Sequence, residues 1–176
     1  MIQFVPLRLN HLPLMHEWFA RPHLKQWWTR GESFTLEQIA ARYGARARGE
    51  DTARGYLIEL DEQPVGYAQY YPVRDDSLPD GVVKPTNGLF TAFRKEELAG
   101  VDLFLADPLG LGKGMGTTVL KAFLEAELFP KFRVAVIDPL RVNERAIRSF
   151  EKSGFRRTEF SEAPASLVMV AVRPPA

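Results

Sequence analysis

The chain has 176 residues, 45% apolar and 26% charged, with 23 basic against 22 acidic side chains and a formal charge of +1. At roughly 150 residues per domain this predicts one domain over residues 1–176, and so even a charge balance argues against a nucleic-acid partner. Without cysteine there can be no disulfide, thiolate metal site or cysteine nucleophile. No apolar run approaches the roughly 18 residues that cross a bilayer, so a cytoplasmic protein with no membrane partner is expected.

Gln3 to Leu9 alternates, with Phe4, Val5, Leu7 and Leu9, and reads as a first strand. Asn10 is a candidate cap for a helix carrying Leu12, Leu14, Met15, Trp18 and Phe19, which Pro22 stops. Thr35 and Gln38 form a capping box before a second helix with Leu36, Ile39, Ala40 and Tyr43 as its apolar residues. The arginine- and glycine-rich stretch from Tyr43 to Arg54 reads as the solvated end of that helix and a loop. Two β-prone runs, 56–60 and 64–71, are joined by Asp61, Glu62 and Gln63 in the pattern of a hairpin.

Arg74 to Leu98 is polar and broken by proline and glycine, as a long loop would be, and carries Asp75, Asp76 and Asp80. Residues 101–106 then read as a strand, 110–116 as a glycine-rich turn and 117–128 as a helix with Val119, Leu120, Phe123 and Leu124 inward. The continuous apolar run 134–137 fits a strand covered on both faces. Residues 143–153 form a last helix, with Val142, Ala146, Ile147 and Phe150 on one stripe and Gly154 ending it. Residues 155–160 and 167–172 supply two closing strands. His11 and His16 lie five apart and so on different faces of a helix, and with His23 they make no metal-ligand pattern; no metal is expected.

The most informative segment is Gly110-Leu111-Gly112-Lys113-Gly114-Met115-Gly116, set between an apolar strand and an amphipathic helix. Glycines let backbone amides approach an anion, and the helix adds its positive dipole end, so a pyrophosphate site follows; a plain tight turn is the alternative. A Walker loop is excluded because Met115 stands where its second glycine belongs, and the dinucleotide fingerprint lacks its third glycine in either frame.

With these residues the sequence resembles the GCN5-related N-acetyltransferase (GNAT) family. The segment Leu111-Gly112-Lys113-Gly114-Met115-Gly116 matches the glycines of the family's Q/R-x-x-G-x-G/A motif, with Leu111 at its first position. The segment from Asn143 through Ala146, Ile147, Phe150 and Lys152 to Gly154-Phe155 matches its second signature. Within the family the chain looks most like the aminoglycoside 6'-N-acetyltransferases, through Leu7-Arg8-Leu9, Glu17-Trp18, Gln26-Trp27-Trp28, Pro64 to Gln69, Val101-Asp102 and Asp138-Pro139.

The resemblance implies an α/β (α+β) GNAT fold: a mixed, mostly antiparallel sheet of about seven strands, a parallel pair at the cofactor cleft and about four flanking helices. It implies an enzyme whose acceptor amine attacks acetyl-CoA directly. The pyrophosphate would lie on the amides of Leu111, Gly112, Lys113, Gly114, Met115, Gly116 and Thr117, with Asn143 and Phe150 nearby, and the oxyanion on the backbone near Phe104 and Leu105. Asp102 and Asp138 would draw in the ammonium and accept its proton, because strand carboxyl ends line the ligand crevice. A strand-end aspartate also caps loops, so that alternative stands beside it. Trp27, Trp28, Tyr67 and Gln69 are the further candidates for binding an amino sugar, and either tryptophan could equally anchor the core. Phe150 stands where many relatives place a tyrosine acid, leaving water, Tyr70 or Tyr71 to protonate the thiolate, or none. Other readings are a lysine-derived siderophore precursor or a peptide amine as acceptor, and a noncatalytic acyl-CoA-binding module; the partner is a small-molecule amine, the chain a monomer or homodimer.

Overall fold

The amino-terminal alternation becomes β1 (Ile2–Pro6) in the computed structural model, which describes residues 1–74, 83–107 and 114–175. A 3₁₀ turn at Leu9–His11 leads into α1 (Leu12–Phe19). Asn10 falls inside that turn and His11 takes the cap position, while Pro13 sits in the first helical turn, where its missing amide donor costs nothing. Pro22, read from sequence only as a stop, also opens α2 (Pro22–Trp27), since its fixed φ suits a first helical position. The Thr35 capping box is present: Thr35 Oγ1 accepts from the Gln38 amide at 3.2 Å and Gln38 Oε1 from the Thr35 amide at 2.8 Å, starting α3 (Leu36–Ala47).

The hairpin comprises β2 (Arg54–Leu60) and β3 (Gln63–Pro72). Asp61 and Glu62 turn it with φ of 49° and 65°, the left-handed pair whose twist matches that of the flanking strands. A four-residue helix, α4 (Leu89–Ala92), interrupts the segment expected to be loop, being too short to show a period in sequence. β4 (Leu98–Leu105) starts earlier than Val101 because Leu98, Ala99 and Gly100 are buried with it. Then come α5 (Met115–Phe123), continued by a π-helical turn at Leu124–Leu128, β5 (Val134–Ile137), α6 (Glu144–Lys152), β6 (Arg156–Arg157) and β7 (Met169–Val172).

These strands form a seven-stranded sheet in the order β1-β2-β3-β4-β5-β7-β6. β1 with β2, β5 with β7 and β6 with β7 are antiparallel, whereas β4 and β5 run parallel with Leu98 opposite Val134 and Gly100 opposite Val136. The mixed sheet expected from the resemblance is therefore present, with its parallel pair. The expected strand at 155–160 shrinks to two residues: past Arg157 the chain is held by Thr158, whose amide and hydroxyl both donate to the Val168 carbonyl.

By contacts the chain divides into two compact units, Met1–Gln69 with Leu103–Lys113 and Tyr70–Asp102 with Gly114–Ala176. The first has a core of Leu12, Met15, Trp18, Phe19, Ile39, Tyr43, Tyr67 and Phe104, dense in edge-to-face rings: Trp18 on Phe104 at 5.9 Å, Phe19 on Phe104 at 5.8 Å. The second buries Val73, Val83, Leu89, Leu98, Val134 and Val168, and sets Tyr70 against Phe123 and Phe132.

In the first unit a Cβ on Gly66 would strike the carbonyl oxygen of Phe104 and lie 3.1 Å from the Leu105 Cα, both backbone atoms that cannot swing aside. Gly66→Ala should cost about 1–3 kcal/mol and lower the melting temperature by roughly 5 °C in a thermal unfolding scan, with secondary structure intact below the transition.

Candidate active site

The parallel register of β4 and β5 decides where the two candidate carboxylates go. Gly100 and Val136 are partners, and side chains two residues further along a strand return to the same face. Asp102 and Asp138 therefore stand on one face of neighbouring strands, Asp138 just past the end of β5, and both are half-buried. The backbone after Asp138 is pinned: the Leu167 amide donates to the Pro139 carbonyl at 2.9 Å and the Arg141 amide to the Ala165 carbonyl at 2.8 Å.

Tyr71 of β3 lies across Gly100 on that face, so that a Cβ built on Gly100 would fall within its ring, 2.5 Å from the hydroxyl. Burial pushes the Tyr71 phenol well above its usual 10, and the carboxylates of Asp102 and then Asp138 push it the same way. The phenol is therefore neutral at any physiological pH. Tyr70 points to the opposite face by strand alternation, with Lys131 over its ring at 5.0 Å. Of the two tyrosines considered from sequence, Tyr71 is the one on the face of the carboxylates.

In the same unit α5 opens on Gly114, at φ 79° with nothing among the described residues within 4 Å of where a Cβ would stand. The first-turn amides of Met115, Gly116 and Thr117 have no partner within the helix, as a bound pyrophosphate would need. The Thr117 hydroxyl sits 3.0 Å from that of Ser149 on α6, and Ser153 Oγ also reaches the Ser149 carbonyl at 2.8 Å. Asn143 is the cap of α6, its side chain accepting from the Ala146 amide at 3.2 Å, and the half-buried Phe150 ring packs on Phe155 at 6.1 Å. Leu111, Gly112 and Lys113 lie outside the described residues, as do Asp75, Asp76 and Asp80.

The remaining candidates belong to the first unit. Phe104 and Leu105 are buried at the end of β4, where His23 Nε2 meets the Leu105 carbonyl at 3.0 Å and Arg21 donates to that of Ala106. These contacts fix the carbonyls of the strand end. Trp27 is half-buried, and Trp28 packs edge-on to Phe104 at 4.8 Å while its Nε1–H donates to the Tyr43 hydroxyl at 3.3 Å.

Tyr67 and Gln69, expected to face the acceptor, are instead tied to Arg46 of α3. Tyr67 is 0% exposed, surrounded by Trp28, Tyr43 and Phe104, and its hydroxyl donates to Gln69 Oε1 at 2.8 Å. Arg46 donates to Gln69 Oε1, lies 5.2 Å over the Tyr43 ring and pairs with Asp51 through two nitrogens at 3.2 and 3.1 Å. In this arrangement Tyr67 serves packing. Arg46, in the stretch expected to be a solvated helix end, is thus engaged; Asp51 five residues on is the signal in the sequence, but i to i+5 is not a helix-surface pairing. Among the described residues no three His, Asp or Glu side chains converge as metal ligands, and no helix is long and apolar enough to cross a membrane.

Comparison with known proteins identifies the family. The sequence profile of the acetyltransferase (GNAT) domain matches residues 8–162, so the chain belongs to the GNAT acetyltransferase family. The aminoglycoside N(6')-acetyltransferase type 1 of Klebsiella pneumoniae is 33% identical over 159 residues, covering 87% of this chain and 74% of the relative. Among solved structures, AAC(6')-Ib in complex with paromomycin and acetyl-CoA superposes with a TM-score of 0.81 at 30% identity, over 98% of this chain and 93% of that one. The same enzyme with coenzyme A and kanamycin gives 0.80 at 29% identity, over 98% and 95%.

Burial works to raise the Asp51 carboxyl, but the Ala53 amide and the Arg46 guanidinium outweigh it and hold it below its usual value. A carboxyl lowered on folding stabilises the native state above its unfolded pKa of about 4 and loses that contribution as pH falls through the folded value. Asp51→Asn should cost about 2 kcal/mol at pH 7 by urea denaturation, and the difference from the unsubstituted chain should shrink as the pH is taken from 5 to 2.

Proposed function

We propose that the chain is an acetyl-CoA-dependent N-acetyltransferase acting on the 6'-amine of an aminoglycoside, with residues 1–176 working as one catalytic domain. The observation that carries this reading is the pair of carboxylates, Asp102 and Asp138, on one face of the parallel strands β4 and β5. An amino-sugar ammonium is attracted by two negative groups and, being mostly protonated near neutral pH, must lose a proton before it can attack. The likeness to aminoglycoside 6'-acetyltransferases supports the choice of acceptor. Because the donor is acetyl-CoA, the reading puts the reaction in the cytoplasm.

In this reading the amides of Met115, Gly116 and Thr117 at the start of α5 hold the pyrophosphate of the donor. One carboxylate of the pair takes the proton, directly or through water, while the other keeps its charge beside the acceptor. The nitrogen lone pair then forms the C–N bond at the thioester carbonyl, and we assign a backbone amide at Phe104 or Leu105 to the oxyanion. Collapse breaks the C–S bond and releases coenzyme A. Phe150 has no proton to give, so the leaving group departs as a thiolate or takes a proton from water, which an ordinary thiol pKa of about 8.5 allows.

Thiol release from acetyl-CoA should be saturable with kanamycin and tobramycin and absent with lysine derivatives or a short peptide; the reverse pattern would replace the acceptor and keep the family. Asp102→Asn and Asp138→Asn should each lower kcat about a hundredfold or more with acetyl-CoA affinity unchanged. Gly114→Val should weaken acetyl-CoA binding at least tenfold by calorimetry, since a branched side chain both resists a φ of 79° and covers the approach to the helix start.

A further inference from the structure

The face that carries Asp102 and Asp138 also carries a hydroxyl that the reaction above leaves unused. Tyr71 reaches it from β3 because Gly100, on the neighbouring strand, has no side chain: the space a Cβ would take is filled by the phenol ring. Gly100 lies two residues before Asp102 on β4, and its register partner Val136 lies two before Asp138. Phenol and carboxylates thus share one face and one end of the parallel pair.

The chemistry of that phenol is constrained by its surroundings. Buried and facing two carboxylates, it holds its proton far more tightly than a thiol does, so passing that proton to a departing thiolate would run uphill. Tyr71 is therefore a poor general acid and a durable hydrogen-bonding group. A primary ammonium has three N–H donors. Once one proton has left, the amine keeps two N–H bonds and a lone pair, and the direction of the lone pair is set when both N–H bonds are held.

We propose that Tyr71 positions the acceptor amine, its phenol oxygen accepting one N–H beside the carboxylates of Asp102 and Asp138 so that the nitrogen lone pair is left directed at the thioester. This rests on the reading of the two aspartates as the acceptor site. Gly100 is part of the same device, since any side chain there would displace the ring. The device also implies discrimination: an amine that has lost one N–H to a methyl group cannot satisfy both acceptors and still present its lone pair.

The test compares Tyr71→Phe with the unsubstituted enzyme, using kanamycin and its 6'-N-methyl derivative. Phe keeps the ring over Gly100 and removes only the oxygen, so folding and acetyl-CoA binding should be unaltered. The expected result is a ten- to hundredfold loss in kcat/KM for the primary amine, carried by kcat as well as KM, and a narrowed ratio between primary and N-methyl acceptors. Gly100→Ala should give the same pattern with the hydroxyl still present, and the double substitution should be no worse than either single one. If Gly100→Ala fails to fold, Tyr71→Phe decides alone. A Tyr71→Phe enzyme within twofold of the unsubstituted one on kanamycin, with unchanged discrimination, overturns the inference. Absence of turnover in the unsubstituted enzyme instead overturns the acceptor reading, and this inference with it.

Discussion

The parallel pairing of β4 with β5 is the constraint on which the candidate site depends. Two strands running the same way in fixed register carry any residue a given distance past a paired couple to the same height and the same face. Gly100 opposite Val136 is such a couple, and Asp102 and Asp138 follow from it. Slipping the pair by one residue would turn one carboxylate to the other face, where it would serve neither binding nor proton transfer. β7 locks the register from the other side, pairing with β5 from Val134–Val172 to Ile137–Met169.

Like charges side by side on neighbouring strands weaken a sheet, and local pairing rules would not place them there. A locally unfavourable arrangement that the surrounding structure holds in place is characteristic of working sites. The surroundings here are specific: a glycine that admits an aromatic ring, and a phenol held neutral by its burial and by the negative charge around it. Arg46 illustrates the opposite solution. Its charge is brought inward but met by Asp51, Gln69 and the face of Tyr43, so that it stabilises α3 against β3 and adds no free cation near the residues it orders.

What could be read from sequence was what local pattern encodes. The capping box at Thr35, the unbroken apolar run of β5 and the Asn143 helix start are each specified within a dozen residues, and the structure has all three. Asp138 was legible because it ends an apolar run, and Asp102 because it is the lone charge within one. Gly100 was not, since a glycine in a strand acquires meaning only when the tyrosine on the next strand is known. Tyr67, Gln69 and Tyr71 share one face of β3 by alternation, but Arg46 engages the first two. That distinction is made by a residue from another helix, and no reading of β3 alone contains it. Pro22 as both stop and start, and α4 with only four residues, escaped because neither shows a period.

The sheet ends on one side in β6, which is Arg156 and Arg157 and nothing more. An exposed strand edge is a template on which a foreign strand can add, and proteins resist this with short, charged edges. Two exposed arginines, one of them bound to Glu151 at 2.7 Å, leave too little ladder for another chain to grip and present it with positive charge. The fragment that closes the fold thus also guards this border of the sheet against aggregation.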